Sequence, residues 1–301
     1  MTTRSLQYSY VSMPTPTGLP SDEDVMGRAG RENFRVVSRL VPADSQRHLR
    51  AFYGYARLVD EIGDAYAGDR LAALDWVATQ TAGALDGLTG THPLVGAAVD
   101  SVRELGADAQ PLFDLVEANR IDQAVSRYET FEDLLGYCEL SANPVGRLVL
   151  AAFGCTGAEA LRHSDSICTG LQIIEHCADM AEDYRNSRVY MPEVDWVRFG
   201  ADPAELDSGI SASCALRAMV AFEVSRARRF LDAGLPLIDI LSGTLAWAVA
   251  GFWAGGNAAA DRIAERDFDV CQPASRPSPV RVAVHLLRAA PRAMRRKAQA
   301  E

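Results

Sequence analysis

The sequence predicts an all-α fold, and three observations predict it. Apolar residues recur at helical spacing over long stretches, Val/Ile/Thr alternation of the kind that marks strands is nearly absent, and short turn signals separate the stretches. The 301-residue chain is 48% hydrophobic and 23% charged, which suits a substantial core. No Pro/Gly/Ser-rich linker interrupts its middle. One helical domain over residues 21–271 is therefore expected, with a disordered tail at 1–20 and a basic tail at 272–301.

The elements follow in order. Ser21 is placed to N-cap a first helix, with Asp22, Glu23 and Asp24 favourable in its first turn, running into ENFRVVSRLVP and a break at Pro42. Helices are expected over Gln46–Asp64, Arg70–Leu88, Leu94–Leu105 (ending near Gly106) and Gln110–Tyr128. Thr130 and the acids after it open the next helix, which should break just after Asn143, because Pro144 lacks a backbone donor and Gly146 is permissive. A helix entered through His163–Ser166 carries LQIIEHCADMAEDYRNSRVYMP, Leu171 to Pro192. Ala212–Ala233 reads as helical with Arg226, Arg228 and Arg229 at its solvent side, and Leu237–Ile263 is a strongly apolar stretch.

Composition excludes several classes. A formal net charge of −10 argues against general nucleic-acid affinity. The cysteines (Cys138, Cys155, Cys168, Cys177, Cys214 and Cys271) show no CxxC spacing and sit mostly in apolar surroundings, so buried thiols are expected rather than disulfides or a zinc site. The N-terminus has no apolar core of signal-peptide length, and no run reaches the roughly 18 apolar residues of a membrane span. A cytoplasmic location is expected. AGFWAGGNA lacks both the GxGxxG pattern and a preceding strand, so no dinucleotide site is expected.

Two stretches carry chemistry. With Gln172 at zero, Asp179 falls at about −20°, Asp183 at about +20°, His176 at about +40° and Glu175 at about −60° on one helix. With Tyr53 at zero, Arg57 falls at about +40°, Asp60 at about −20°, Asp64 at about +20° and Glu61 at about +80°. A single Asp-x-x-x-Asp pair is most often a solvated stripe. Two pairs, on separate helices more than a hundred residues apart and each sharing a face with polar or aromatic groups, point to one purpose. Hard oxygen ligands suit magnesium, which takes one or two carboxylates plus substrate phosphates. Neutralised in this way, diphosphate becomes a leaving group, and a resulting carbocation needs a dry aromatic and aliphatic wall. Asp60, Asp64, Asp179 and Asp183 supply metal ligands, Arg57 and Arg188 face phosphate, and Phe34, Tyr53, Tyr137 and Tyr190 suit the wall. A di-iron bundle would use similar acids but needs Glu-x-x-His pairs, which neither stretch has.

AFYGYARLVDEIGD, YCELSANPVGRLVLAAFG and GLQIIEHCADMAEDYRNSRVYMP resemble the squalene/phytoene synthase family from about Asp24 to Gly256. ENF, RYETFEDLLGYC and SANPVG are most similar to its hopanoid-pathway branch, the hydroxysqualene synthase type. The resemblance implies a class I isoprenoid synthase helical bundle with a central cavity and a Mg2+ cofactor. It gives catalytic roles to Asp60, Asp64, Asp179, Asp183 and Tyr137, the four aspartates as metal ligands. Substrate-facing positions on the N-terminal side are Asn33, Phe34, Tyr53, Arg57 and Asn143. On the later side they are Gln172, Glu175, His176, Arg188 and Tyr190.

Three residues depart from the family pattern. Glu61 stands where many members carry a second Asp, Glu175 replaces a common Asn, and Ala178 stands before Asp179 where Arg is frequent. A site lacking that cation suits an enzyme taking one already-joined diphosphate better than one gripping two prenyl diphosphates. The expected reaction is conversion of presqualene diphosphate to hydroxysqualene by ionisation, rearrangement and water capture. A head-to-head prenyl transferase and a non-catalytic lipid-binding relative are the alternatives. Arg276, Arg281, Arg288, Arg292, Arg295, Arg296 and Lys297 stand against one acid, Glu301, at the C-terminus. With Val280, Val284 and Leu287 opposite Arg281, His285 and Arg288, this tail reads either as a peripheral contact with the inner face of the membrane or as a disordered solubilising segment.

Overall fold

The computed structural model describes residues 14–28, 42–88, 91–272 and 277–294. Asn33 and Phe34 lie outside the described residues, as does most of the ENFRVVSRLVP run. Among the described residues every regular element is helical, apart from one isolated bridge between Arg127 and Val189. The all-α expectation holds. Contacts gather into two compact units, Met1–Ala124 and Val125–Glu301.

The first unit contains α1 (Asp22–Arg28), α2 (Ala43–Asp64), α3 (Arg70–Leu85), α4 (Pro93–Leu105) and α5 (Gln110–Ala124). Helix α2 is central and touches all four others. Its Tyr55, Leu58, Val59 and Ile62 are fully buried, the i, i+3, i+4, i+7 spacing of a helix with one face in the core. The Tyr55 hydroxyl hydrogen-bonds Thr81 Oγ1 at 3.0 Å and donates to the Leu112 carbonyl at 3.1 Å, tying α2 to α3 and α5. Helix α3 is capped by Asp69, whose carboxylate accepts the Ala72 N–H, and α4 ends at Gly106 with φ +59°. Helix α5 stops at Ala124, short of the expected Tyr128. The backbone beyond it is engaged elsewhere: Val189 N–H donates to the Ser126 carbonyl at 2.8 Å and Glu193 N–H to the Tyr128 carbonyl at 2.9 Å.

The second unit opens with α6 (Phe131–Ser141), started by a reciprocal capping box between Thr130 and Asp133. The break comes at Ala142 and α7 (Asn143–Ala151) follows, so Pro144 sits in a first turn, where its missing N–H costs no hydrogen bond. The sequence had suggested a break one residue later. Helix α8 (Ala158–Ala178) precedes α9 (Met180–Arg185) and α10 (Glu193–Phe199). After a 3-10 turn at Pro203–Asp207 come α11 (Cys214–Gly234), α12 (Leu237–Ile240), α13 (Gly243–Glu265) and α14 (Pro279–Ala293).

The apolar stretch from Leu237 is therefore two helices, divided where Gly243 adopts φ +58°. Helices α8 and α11 pack closely because Gly170 has no side chain: a Cβ there would lie 3.0 Å from the Ala227 carbonyl oxygen and from Leu231. Of the three arginines assigned to solvent on α11, only Arg229 is exposed. Arg226 is held by Asp195 (2.9 Å) and Glu223 (3.0 Å), and Arg228 by Asp261 (2.7 Å). An arginine that finds buried carboxylates can enter a core that a solvated one would avoid.

Candidate functional site

The first acidic motif occupies the last turns of α2. Asp60 is half-buried and accepts a long hydrogen bond from Asn119 Nδ2 of α5 at 3.5 Å, while Asp64 is exposed. Arg57 pairs with Glu61 at 3.0 Å along the helix, so the guanidinium assigned to phosphate already has a carboxylate partner, and Glu61 is buried. Gly63 lets α5 approach this turn: a Cβ there would stand 2.0 Å from Asn119 Oδ1. Gln123 Nε2 donates to the Gly63 carbonyl at 3.1 Å, fixing the same turn. Tyr53 is half-buried on the same helix.

The second motif spans the end of α8 and the whole of α9. The sequence arithmetic ran Gln172 to Asp183 along one straight helix; that is corrected at Asp179, whose backbone (φ −104°, ψ 9°) separates α8 from α9. Its carbonyl accepts the N–H groups of Glu182 and Asp183, both at 2.8 Å, which restarts the helix. A turn then follows with Ser187 at φ +63°, and Arg188 N–H donates to the Asp183 carbonyl at 2.8 Å. Burial, then the charges of Glu175, Asp183 and Glu182, push the Asp179 carboxyl up from 3.8 to about 6. A carboxylate so placed gains from a neighbouring cation.

Around this acid cluster lies an aromatic group. The His176 ring stacks on Tyr190 at 3.8 Å between centroids, and Tyr137 lies 5.5 Å from Tyr190 and 6.1 Å from His176. His176 Nε2 meets Gln172 Nε2 at 3.1 Å, and its Nδ1 lies 3.9 Å from an Asp183 carboxylate oxygen. A pocket here is lined by His176, Met180, Asp183, Arg188, Tyr190 and Trp196, among others. Asn143, buried at the start of α7, accepts a hydrogen bond from Thr169 Oγ1 at 3.1 Å and so helps dock α7 on α8. Glu175 is exposed.

Within the second unit the structure thus brings together Tyr137, Gln172, His176, Asp183, Arg188 and Tyr190, with Asp179 adjoining. Sequence reasoning missed Tyr128, which stacks on Tyr190 at 6.0 Å and approaches Tyr137 at 5.6 Å. Its helical surroundings in sequence hid the extended segment that carries it; the RIDQAVSRYET run shows no turn residue before Tyr128 beyond Ser126. Also missed was the trio of buried Asp195 and Glu223 with half-buried Arg226, whose guanidinium lies 3.9 Å from the Phe131 ring centroid. Burial pushes the Glu223 carboxyl up to about 8.

The donor set fits a hard divalent cation. At the second motif its members are carboxylate oxygens, and Asp179 is raised first by burial and then by the negative charge around it. Among the described residues no group of three His, Cys, Asp or Glu side chains converges closely enough to hold a metal unaided.

Residues 28–288 match the squalene/phytoene synthase family model. The hydroxysqualene synthase of Zymomonas mobilis is 34% identical over 206 residues, covering 66% of this chain and 68% of that protein. The hydroxysqualene synthase of Rhodopseudomonas palustris is 32% identical over 207 residues, covering 68% of this chain and 70% of that protein. The crystal structure of the squalene synthase HpnC from Alicyclobacillus acidocaldarius superposes with a TM-score of 0.77 at 36% identity, covering 82% of this chain and 94% of that one. The helices therefore form the all-α isoprenoid synthase fold, and the resemblance carried by the two aspartate motifs holds over most of the sequence. The chain belongs to the squalene/phytoene synthase family.

Proposed function

We propose that the protein converts presqualene diphosphate to hydroxysqualene, as a carbon–oxygen lyase acting on a diphosphate. The observation that carries the reading is the acid cluster at the α8–α9 break, with Asp179 raised to about 6, set beside the His176–Tyr190–Tyr137 aromatic group. The name hydroxysqualene synthase, borne by its relatives in Zymomonas mobilis and Rhodopseudomonas palustris, supports the same product.

Asp60, Asp64, Asp179 and Asp183 are the residues that would hold magnesium, which when bound neutralises the diphosphate and lets it leave. Arg188 adds positive charge beside Asp183. Departure of diphosphate with the C–O electron pair leaves a cyclopropylcarbinyl cation, which rearranges. The faces of Tyr137 and Tyr190 stabilise the positive charge and exclude bulk water until one water oxygen attacks. That water loses a proton, and the products are hydroxysqualene and diphosphate. Gln172 and His176, hydrogen-bonded to one another, orient the polar side of the same wall.

Purified protein with magnesium and presqualene diphosphate, without a nicotinamide cofactor, should yield hydroxysqualene; with farnesyl diphosphate alone it should yield no C30 product. Presqualene diphosphate formed from farnesyl diphosphate would overturn the reading in favour of a head-to-head prenyl transferase. Magnesium-dependent binding of a diphosphate analogue with no turnover of either substrate would instead point to a lipid-binding relative.

A further inference from the structure

Helix α14 presents three distinct sides, and only one of them is docked. With Val280 at zero, His285, Ala289, Ala293 and Ala290 fall between about 140° and 280°, and all four are buried. This side packs on α13 and α12. It is held by polar contacts: His285 Nε2 lies 2.8 Å from an Asp261 carboxylate oxygen, Arg281 Nε donates to Glu265 at 2.9 Å, and Arg292 pairs with Asp239. The sequence had set Val280, Val284 and Leu287 opposite His285, and the structure keeps that opposition but buries the histidine.

The apolar side therefore faces outward. Leu287, Val280, Val284 and Met294 fall within about 40° of zero on the same count and are 72%, 70%, 39% and 66% exposed. Arg288 and Arg281 border this strip at about 80° and 100°, and both are exposed. The chain continues past Met294 as RRKAQAE, so the local charge is positive on a protein whose net charge is −10. An exposed apolar strip edged by arginines on a helix pinned by its opposite side is the arrangement of an in-plane interfacial helix. An acidic protein surface would complement the arginines but not the apolar strip beside them.

We propose that α14 docks the protein on an anionic lipid bilayer, with Val280, Val284, Leu287 and Met294 entering the headgroup–acyl boundary and Arg288 meeting lipid phosphates. No helix among the described residues is long and apolar enough to cross a membrane, and the contact proposed is peripheral. It stands apart from the substrate assignment: the enzyme could dock in this way whichever prenyl diphosphate it takes.

The test is co-sedimentation of the full chain with vesicles of mixed phosphatidylglycerol and phosphatidylcholine, compared with phosphatidylcholine alone. Wild-type protein should partition to the anionic vesicles and be released by salt. The double variant Val284→Ser, Leu287→Ser should lower that partition about tenfold or more. Arg288→Gln should lower it about fivefold on anionic vesicles. In Leu287→Trp, the new indole emission should shift to the blue when anionic vesicles are added. All these side chains are exposed, so melting temperatures should match wild type. Equal binding to both vesicle types, wild-type partition by the double variant, or an unshifted indole would each overturn the proposal. A wild-type dimer that the double variant converts to monomer would overturn it in favour of a second copy on this face.

Discussion

Asp179 concentrates the cost of the site in one side chain. Burial and three neighbouring carboxylates raise it from 3.8 to about 6, so the folded chain binds its proton more tightly than the unfolded chain does. Its contribution to stability is present below its unfolded value and is lost as pH rises through about 6. Asp179→Asn should therefore abolish turnover while leaving the apo protein about 1 kcal/mol more stable at neutral pH, after allowance for solvent screening. Urea unfolding beside a product assay reads both effects, and loss of stability with retained activity would contradict the assignment. Gly63 makes the complementary case. Its substitution by alanine puts a Cβ into Asn119 at a turn between two predicted metal ligands. Gly63→Ala should cost about 1–3 kcal/mol in denaturant unfolding and lower activity beyond that loss. The two aspartate pairs were legible in the sequence because carboxylates four apart on an apolar helix are chemically conspicuous. Gly63 was not, since what it accommodates comes from a helix some sixty residues away.

At the scale of elements, helical period located the long helices, while short α10, the division at Gly243 and two further features escaped it. The interruption at Asp179 adds no glycine or proline to the sequence, so the α8–α9 stretch reads as one helix there. The end of α5 at Ala124 depends on hydrogen bonds from residues 189–194, which local pattern does not contain. Arg226 escaped for a related reason. Three arginines in four residues look like a solvated face until Asp195 and Glu223 arrive beside one of them. Glu223, fully buried and raised from 4.5 to about 8, favours the folded state most below its unfolded value and progressively less as pH climbs towards 8. The stability of Glu223→Gln relative to wild type should accordingly improve between pH 5 and pH 8, as followed by thermal melts across about that range. A difference that stays constant with pH would place the proton elsewhere in the trio.

Across the whole molecule, fold class was the easiest property to read, because it depends on the period of apolar residues and on a scarcity of strand pattern summed over the whole chain. Reaction chemistry was harder. It hangs on few positions, and Glu175 and Ala178, on which the sequence reading of the substrate rested, lie at the edge of the acid cluster, with Glu175 exposed. The outward strip of α14 was half legible: sequence supplied its apolar and basic sides, and only packing revealed which side was free. The proposed chemistry makes the product's hydroxyl oxygen come from solvent. Presqualene diphosphate turned over with magnesium in 18O-enriched water should therefore give hydroxysqualene carrying one heavy oxygen, as read by mass spectrometry of the extracted lipid. Unlabelled alcohol, or a hydrocarbon with no oxygen at all, would contradict it.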